Sequence, residues 1–580
     1  MNVFLLWRRI DDPNSGPDSK KVVKKLGEIF APLFEHLPAE RIHSTPTARL
    51  AYLELPVRRW CVPLIEREKT CWSFAPEYPV NARIALESNG SDPGNGSIVP
   101  SLCRNLQKNP TPFLKDLAPP FSLIWSDENN GETFVQNDGL GQAQLFEFEH
   151  DGLWAVTNKL FALNALGASL ELDAEQWAVR FALGWFPLEM SGFKSVRFVP
   201  PGTQLRLSKT GVHRKSIDVI SDWVSPEPMS KQDCHEMARA SLIEFIEQAK
   251  PLWQKPGAGL SGGWDSRAVV ASLRASGVRY SARVRGHVER PDVIIASRLA
   301  EIAGIKLKIS TSGGLPAGDS EGCRQSINKA LLWQSGQLTT HKHISFLAGK
   351  KHLAGGSVNV MGAAGEICRG YYLKKIKTAR WEPAKAENHF IKELTSRFPP
   401  YLTEKMRDLS QEVILAAYRR AASYQIAGLR RLDFFYLFER TRRWCSGALG
   451  AQPGQAITPF LNPDLIRATF SYPVTDLVSS PFHRHVIAIH APEWSEIPIA
   501  DDIAAGIPPR QDRDSEWHLP VANEVYDRQL HWREVGESLI NDALDRGGYW
   551  NEIFDHHAAR GQWHKAPDAL AIFHQLSHTV

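Results

Sequence analysis

The sequence of 580 residues predicts an α/β fold in two parts, and the second part is predicted to contain a doubly wound parallel sheet. From residue 257 onwards, short apolar strands alternate with amphipathic helices, which is the order that parallel sheets require. Before residue 216, short strands are separated by turn signals such as Asn137-Asp138-Gly139, a pattern typical of antiparallel sheets. We therefore expect a β-rich α+β sandwich domain over 1–215, a linker over 216–232 and a second domain over 233–580.

Composition is ordinary for a soluble protein, which we expect to be cytoplasmic. The nearly neutral charge argues neither for nor against a nucleic-acid partner, and we expect none. Hydrophobic residues make up 43% of the chain and charged residues 23%, and the net charge of +4 comes without a dense Lys/Arg tract. No long uncharged apolar run predicts a membrane span, and the apolar start over 3–7 is too short for a signal peptide. The seven cysteines include no Cys-x-x-Cys pair, which favours reduced thiols over disulfides or zinc.

The first domain is predicted to open with a strand over 3–7 and a helix over 20–37, whose apolar residues fall on one side. Further strands are expected over 121–125, 144–148 and 153–156, because these runs are apolar or alternate and are bounded by turns. The polar, proline-containing stretch over 218–231 is typical of a linker, and the periodicity after it predicts a helix over 233–249.

The chain is organised around the loop Ser261-Gly262-Gly263-Trp264-Asp265-Ser266. Small and apolar residues before it predict a strand end, and the run after it predicts a helix that Gly277 stops. Two glycines let main-chain N–H groups approach phosphate oxygens, and the start of a helix adds partial positive charge. Asp265 suits Mg²⁺, which prefers oxygen ligands. The spacing differs from a loop ending in Gly-Lys-Ser, which excludes that class of NTPase.

The elements after this loop support a doubly wound sheet. A strand over 280–285, a helix over 293–303 and a strand over 306–310 follow in order. Ligands of such sheets bind at the carboxyl ends of the strands, where the loop is expected. A second apolar strand runs into small residues that precede Glu366, Arg369 and Tyr371. Glu366 is a candidate metal ligand, and Arg369 can bind a carboxylate or a phosphate bidentately. The alternative is a strand end that carries a surface Glu–Arg pair, and Asp292 is a weaker candidate for the same pocket.

These motifs resemble a known family. The loop over 261–266 matches the Ser-Gly-Gly-x-Asp-Ser signature of the PP-loop ATP pyrophosphatases, and the segment over 362–371 is similar to the Gly-Glu-Gly-x-Asp-Glu-x-x-x-Gly-Tyr segment of asparagine synthetases. Four earlier segments resemble the glutaminase domain of class II amidotransferases. They are Asp138–Gly141, Gln144–Phe146, Trp154–Lys159 and Val199–Leu205. Together the resemblances indicate the asparagine synthetase family, whose relatives include β-lactam synthetases and lasso peptide cyclases.

The resemblance implies an ATP- and Mg²⁺-dependent ligase that activates a carboxylate as an acyl-adenylate for attack by an amine. By this resemblance Glu366, Arg369 and Tyr371 are catalytic candidates, and Asp265 and Glu366 would hold the metal. The residues expected to bind the nucleotide are Leu260, Ser261, Gly262, Gly263, Trp264, Asp265, Ser266 and Val284. Arg442 or Arg443 is a candidate to neutralise pyrophosphate, with a solvated basic helix face as the alternative. Arg510 is a candidate for the family's late lysine.

Two departures from the family bear on the reaction. The family's glutaminase uses an N-terminal cysteine, whereas this chain has Asn2, whose amide cannot form a thioester. Two acidic positions of the second motif are replaced by small residues. We expect an inactive glutaminase domain and a small-molecule or peptide carboxylate substrate, with a precursor peptide or a biosynthetic protein as a possible partner. An asparagine synthase and a non-catalytic nucleotide-binding relative are the alternatives.

Overall fold

A computed structural model gives the structure of the protein. It describes residues 2–12, 15–55, 57–58, 60–91, 98–310, 320–337, 353, 356–375, 383–444, 454–500, 541, 544–545 and 548–562.

The first part of the chain is built from two antiparallel sheets. Its strands are β1 (Val3–Arg9), β2 (Ala39–Ser44), β3 (Arg49–Glu54), β4 (Val57–Arg58), β5 (Ile65–Glu68), β6 (Cys71–Glu77), β7 (Ser122–Asp127), β8 (Glu132–Asn137), β9 (Phe146–His150), β10 (Leu153–Thr157), β11 (Val196–Phe198), β12 (Thr203–Ser208) and β13 (Gly211–Ser216). One sheet has the order β11-β9-β10-β1-β3-β2, and the other has the order β13-β12-β8-β7-β6-β5.

The two sheets pack face to face, because alternate residues of each strand point to opposite sides. Phe4 and Leu6 of β1 join Trp72 and Phe74 of β6 in the core between the sheets, whereas Val3, Leu5 and Trp7 belong to a second cluster outside it. Helices cover the outer faces of the sandwich. The helices of this part are α1 (Ser19–Phe30), α2 (Ala82–Ser88), α3 (Ile98–Lys108), α4 (Thr111–Leu114), α5 (Ala174–Leu183) and α6 (Ile220–Val224). The expectation of an antiparallel first part is confirmed.

The second part contains a five-stranded parallel sheet. The strands of this part of the chain are β14 (Gly257–Gly259), β15 (Ser281–Arg285), β16 (Leu307–Ser310), β17 (Gly356–Ser357), β18 (Asn359–Val360) and β19 (Ala456–Ile457), and all but β17 belong to the five-stranded sheet. The order is β16-β15-β14-β18-β19, and every neighbouring pair is parallel. The remaining strand, β17, pairs with β4 of the first part. The parallel sheet that the alternating pattern predicts is therefore present.

Helices surround this sheet. They are α7 (Lys231–Ala249), α8 (Trp264–Ala275), α9 (Pro291–Ile302), α10 (Ser320–Gln334), α11 (Tyr371–Lys375), α12 (Pro383–Thr395), α13 (Glu404–Arg419), α14 (Arg430–Phe435), α15 (Pro463–Ser471), α16 (Pro481–His490), α17 (Tyr549–Ile553) and α18 (His556–Gln562). A π-helix over Tyr436–Thr441 continues α14. Short 3-10 turns occupy Ala31–Leu33, Leu160–Leu166, Lys250–Leu252, Gly365–Arg369, Arg420–Tyr424, Pro459–Leu461, Asp476–Ser479 and Pro492–Trp494. Among the described residues, no helix combines the length and the apolarity that a membrane crossing needs.

Two predicted boundaries differ from the structure. The helix predicted over 20–37 ends at Phe30, because Pro32 cannot donate a main-chain hydrogen bond and a 3-10 turn takes over. The predicted linker over 216–232 contains α6, in which Ile220, Trp223 and Val224 are buried. The division into domains stays a prediction.

Candidate functional site

The candidate site lies where the strand order of the parallel sheet reverses. Strand β14 has β15 and β16 on one side and β18 and β19 on the other. Connections from β14 and β18 therefore leave the sheet in opposite directions, which opens a crevice at their carboxyl ends. The loop over 261–266 follows β14, and the segment over 361–371 follows β18. The two motifs that the sequence singles out thus meet at one edge of the sheet.

The loop over 261–266 is held by its own serines. The main-chain N–H of Ser261 donates to the Ser266 hydroxyl at 3.0 Å, and the two hydroxyl oxygens are 2.9 Å apart. The N–H of Gly263 donates to the Ser261 hydroxyl at 3.3 Å. Ser261 and Ser266 are therefore part of the loop's framework, and both remain partly exposed at the site.

Neighbouring chain segments approach the loop closely at Gly262. A Cβ at this position would lie 2.9 Å from the Cβ of Ala500 and 3.1 Å from Asp292 Oδ1. The N–H of Gly262 donates to Asp292 Oδ1 at 3.0 Å. Asp292 thus contacts the glycine loop directly. The sequence indicates it as a weaker candidate for this pocket, and its position agrees with that. At Gly263 the Ser261 hydroxyl, 3.6 Å away, is the only described atom within 4 Å of such a Cβ, so the described residues leave space on this side of the loop.

Helix α8 starts at this loop without a side-chain cap. Gly263 occupies the N-cap position and has extended backbone angles, and none of the described side chains accepts from the first turn. The N–H groups of a first helical turn have no partner within the helix, and the macrodipole adds partial positive charge there. The arrangement can bind an anionic group such as a phosphate.

Three of the predicted nucleotide contacts have buried side chains. Leu260, Trp264 and Val284 are 0%, 5% and 5% exposed and belong to the hydrophobic core. Trp264 packs under the guanidinium groups of Arg267 and Arg484. These three residues shape the loop and its strand, and only their main-chain groups are left to contact a ligand.

Asp265 lies at the centre of the site and is surrounded by basic groups. Its Oδ2 accepts a hydrogen bond from Arg369 Nη2 at 2.9 Å. His483 of α16 places Nε2 2.8 Å from Asp265 Oδ1, although the approach is too oblique for an aligned hydrogen bond. The side chains of Asp265 and Arg369 are only 17% and 16% exposed, and that of His483 is fully buried. Arg369 thus binds the carboxylate of Asp265 itself.

Two glycines of the second motif make room for Asp265. A Cβ at Gly365 would lie 2.4 Å from Asp265 Oδ1 and 2.5 Å from its Cγ. A Cβ at Gly362 would lie 2.9 Å from the Cβ of Asp265. Real Cβ atoms do not come this close, so a side chain at either glycine would displace the carboxylate. The small residues that replace acidic ones in the motif are therefore required by the packing around Asp265.

The charges of the site shift its pKa values in opposite directions. Burial raises the pKa of Asp265, but the His483 ring and the Arg369 guanidinium outweigh burial and leave the pKa below its ordinary value. Burial, followed by the charge of Asp265, raises the pKa of Glu366. Burial lowers the pKa of His483, and the neighbouring carboxylate of Asp265 offsets part of this effect. Asp265 is thus the ionised carboxylate of the site, and Glu366 is the one that holds a proton more readily.

Aromatic side chains form the next layer of the site. The hydroxyl of Tyr436 donates to Glu366 Oε2 at 3.1 Å. The rings of Tyr371 and Tyr436 lie 4.6 Å apart, and the guanidinium of Arg440 lies 4.9 Å from the Tyr371 ring. Arg369 Nη2 is 3.9 Å from Glu366 Oε1. All three predicted catalytic residues therefore belong to one contiguous cluster with Asp265.

The donor set does not fit a magnesium ion held by Asp265. One of its oxygens accepts from Arg369 and the other faces His483, so a cation would have to displace basic groups. Glu366 accepts a hydrogen bond from the Tyr436 hydroxyl, so one of its oxygens is also engaged. In the part of the chain that the structure describes, no group of three or more His, Cys, Asp or Glu side chains could hold a metal ion. The expectation of a protein-held Mg²⁺ finds no support in this geometry.

The arginines suggested for pyrophosphate point elsewhere. Arg442 and Arg443 donate to the main-chain oxygen of Leu188, and Arg443 also donates to that of Phe186 at 3.0 Å. They are 1% and 3% exposed, so both are buried against the first part of the chain. That expectation is wrong, because these two side chains are already committed to an interface. Arg510 lies outside the described residues.

Asn2 lies at the start of β1 and is 5% exposed. Its side-chain oxygen accepts from the N–H of Leu55 at 2.8 Å, and its main-chain oxygen accepts from Asn158 at 2.6 Å. It borders a cleft of about 540 Å³ whose wall includes Gln455 of the second part. Asn158 thus fixes the beginning of the strand, and the Asn2 amide serves as a structural hydrogen-bond acceptor.

Sequence reasoning missed three residues of the cluster, namely His483, Tyr436 and Arg440. No local pattern distinguishes them, because each lies on a helix far along the chain from the loop. The stretch Arg440-Thr441-Arg442-Arg443-Trp444 does stand out by its charge, but the sequence does not indicate which arginine faces the site.

Comparisons with known proteins provide little information about the function of this chain. No protein-family model matches the sequence, and a search of curated proteins finds no match. Among solved structures, the chain is similar to the allosteric regulatory enzyme of purine biosynthesis, with 12% identity, coverage of 55% of this chain and 82% of that chain, and a TM-score of 0.26. The chain is also similar to glutamine phosphoribosylpyrophosphate amidotransferase from B. subtilis in complex with ADP and GMP. The identity is 13%, the match covers 63% of this chain and 82% of that chain, and the TM-score is 0.26. Similarity at this level supports no conclusion about function. Any such conclusion has to rest on the geometry of the site.

Proposed function

We propose that the protein is an ATP-dependent carbon–nitrogen ligase that forms an amide bond and releases AMP and pyrophosphate. One observation carries the proposal. The glycine loop with an uncapped helix start, and the Glu366–Arg369 segment with its basic and aromatic side chains, lie together at the carboxyl edge of a parallel sheet. The first can bind phosphates, and the second adds charge and hydrogen-bonding groups beside them.

The proposed reaction has two steps. A carboxylate oxygen of the substrate attacks the α-phosphorus of ATP, and the bond to pyrophosphate breaks. An amine nitrogen then attacks the acyl carbon, AMP leaves, and the nitrogen loses a proton. The N–H groups at the start of α8 would stabilise the charge that develops on pyrophosphate, where preorganised donors contribute most. Arg369, held by Asp265, would complete the positive side of the crevice.

Pyrophosphate release with a panel of carboxylate and amine pairs tests this function. We expect release from the wild type and a loss of about 100-fold or more in Asp265→Ala, because Arg369 would lose the partner that orients it. Asp408→Ala is the matched control, since Asp408 lies on the exposed side of α13. Equal rates in the two variants would refute the proposed role of the site.

The amine is proposed to come from the substrate itself or from a second molecule, and not from glutamine. The carboxamide of Asn2 is a weak nucleophile, and its oxygen already accepts from Leu55. Incubation of the protein with glutamine and ATP should give no glutamate above background. Rapid glutamate formation would contradict this part of the proposal.

The pairing of Asp265 with Arg369 and His483 favours a second candidate, a nucleotide-binding protein without turnover. A carboxylate that basic groups already neutralise can be structural. ATP binding by isothermal titration without pyrophosphate release from any substrate pair would support this candidate over the ligase.

A further inference from the structure

A π-helix in the second part of the chain turns neighbouring arginines toward different surroundings. It spans Tyr436–Thr441 between α14 and a last regular turn. A π-helix adds a residue to its turn, so side chains before and after it leave the helix in unexpected directions, and such segments are frequent at functional sites. Arg442 and Arg443 point to Leu188 in the first part, whereas Arg440 points to Tyr371 in the candidate site.

Arg440 lies among aromatic side chains, and none of the described carboxylates pairs with it. Its guanidinium carbon is 4.9 Å from the Tyr371 ring and 5.0 Å from the Trp444 ring. Its guanidinium also hydrogen-bonds to the side chain of Tyr372, whose pKa burial raises to about 12, so this partner is a neutral hydroxyl and not a carboxylate. Cation–π contacts stabilise the charge, but they do not satisfy the five N–H groups of a guanidinium as a carboxylate does. Within the described ranges, no Asp or Glu forms an ion pair with Arg440.

Other half-buried arginines of the same region do have acidic partners. Arg369 pairs with Asp265 at 2.9 Å, Arg420 with Glu439 at 3.1 Å, and Arg430 with Asp433 at 3.0 Å. A partly buried guanidinium that lacks such a partner carries an uncompensated charge, which is costly unless an anion binds there. The contrast indicates that the missing partner of Arg440 is a ligand.

The position of Arg440 distinguishes its ligand from the phosphates of a nucleotide. Phosphate-binding groups lie at the loop over 261–266 and at the start of α8. Arg440 contacts the ring of Tyr371, Tyr371 contacts Tyr436, and Tyr436 bonds to Glu366, so the recorded contacts of Arg440 with the cluster run through aromatic side chains. Its own surroundings are aromatic rings, which suit the carbon body of an organic acid better than a polyphosphate.

We propose that Arg440 binds a carboxylate of the organic substrate and that the rings of Tyr371 and Trp444 bind the apolar body of that substrate. The inference rests on the proposed ligase function for its substrate, and it narrows the substrate class to acids with an aromatic or large apolar group. A guanidinium can hold a planar carboxylate through two parallel hydrogen bonds, which an ammonium cannot do. Arg440 is thus a specificity-determining residue of the site.

Affinity selection with defined probes tests the proposal. The full-length protein is incubated with an equimolar mixture of the twenty N-acetyl amino acids and, separately, with the corresponding amides, and retained molecules are identified by ultrafiltration and mass spectrometry. We expect acids with aromatic or large apolar side chains to be retained and their amides to be lost. Dissociation constants for the best acid are then measured for Arg440→Gln, Arg440→Lys and the control Arg419→Gln, since Arg419 is exposed and pairs with Glu387.

The expected result is an affinity about tenfold to hundredfold weaker in Arg440→Gln, a smaller loss in Arg440→Lys and no change in Arg419→Gln. Binding of ATP and of pyrophosphate is measured in parallel and also shows that each variant is folded. Retention of no acid, equal retention of acids and amides, or unchanged affinity in Arg440→Gln would overturn the proposal. Weakened pyrophosphate binding with unchanged acid binding would assign Arg440 to phosphate instead. Absence of ATP binding in the wild type would refute the ligase function but leave the carboxylate result standing.

Discussion

Substitution of Arg369 by glutamine removes the charge that holds Asp265 in place. At the observed 2.9 Å, two unit charges attract by about 6 kcal/mol at an effective dielectric constant near 20. Desolvation offsets much of this energy, and both side chains keep about a sixth of their surface exposed, so solvent screens the pair. We expect Arg369→Gln to lower the free energy of unfolding at pH 7 by about 2–3 kcal/mol, somewhat below the cost of breaking a fully buried pair.

A double-mutant cycle separates this pair from its surroundings. Asp265→Asn and Arg369→Gln are made singly and together, and the free energy of unfolding is measured by urea denaturation with tryptophan fluorescence and circular dichroism as coincident probes. Since the two groups are in contact, the double variant should be less destabilised than the sum of the single variants, with a coupling energy of about 1–2 kcal/mol. A coupling energy indistinguishable from zero would refute our interpretation that Arg369 neutralises Asp265.

The dependence of this effect on pH has a definite sign. The pKa of Asp265 in the folded protein lies below the ordinary value of 3.8, so the folded state binds fewer protons than the unfolded state near that pH. The stability that the pair contributes is therefore fully present above about pH 4 and is lost as pH falls through the folded pKa. The difference between wild type and Arg369→Gln should shrink in acid. A difference that grows below pH 4 would contradict the assignment.

Four further outcomes follow from the site and its neighbours. Glu366→Gln should remove a fall in stability as pH rises from 4.5, because the raised pKa of Glu366 lets the folded state bind more protons there; urea denaturation between pH 4 and 8 measures this. Burial lowers the pKa of Lys159 to about 7, so wild-type stability should rise between pH 7 and 10, and Lys159→Met should abolish the rise in the same assay. Gly365→Ala should cost about 1–3 kcal/mol of stability, since its Cβ would meet Asp265, whereas Gly304→Ala, which meets nothing, is a control for strain alone. Equilibrium dialysis should detect no Mn²⁺ on the protein without nucleotide, and stoichiometric binding that Asp265→Asn abolishes would restore Asp265 as a metal ligand.

Periodicity predicted the elements of the sheet well, because each is encoded locally. The strand over 280–285 and the helix over 293–303 appear as Ser281–Arg285 and Pro291–Ile302. The meeting of the two loops was also predictable, since carboxyl ends of parallel strands share an edge. The surroundings of Asp265 were not, because His483 lies on a distant helix and only tertiary packing brings the two together.

The orientation of the arginines in 440–443 was beyond sequence reasoning for a different reason. A regular α-helix would fix the relative directions of Arg440, Arg442 and Arg443 from a period of 3.6 residues. The π-helix before Arg442 breaks that period, and no residue type in the stretch predicts a π-helix. A prediction from charge alone therefore selects Arg442 and Arg443, which contact the first part of the chain.

The charges of the cluster give one explanation for two features, namely that the described side chains do not fit a metal ion and that we propose an anion site beside them. Asp265 is ionised and paired with Arg369, while the raised pKa of Glu366 works against a second negative charge. Arg440 adds a positive charge that no described carboxylate pairs with, and Lys374 adds another close enough to act on Asp265. Among the described side chains, the charges of Arg369, Arg440 and Lys374 offset those of Asp265, Asp292 and Glu366, so this crevice lacks the strong negative charge that two divalent-metal ligands would bring. Such a crevice attracts anions through its own side chains, so a phosphate chain at the loop and a carboxylate at Arg440 would each lower the charge that the other meets. Added salt should consequently weaken the binding of both ligands more than an added metal ion does. Acid binding should therefore weaken as ionic strength rises.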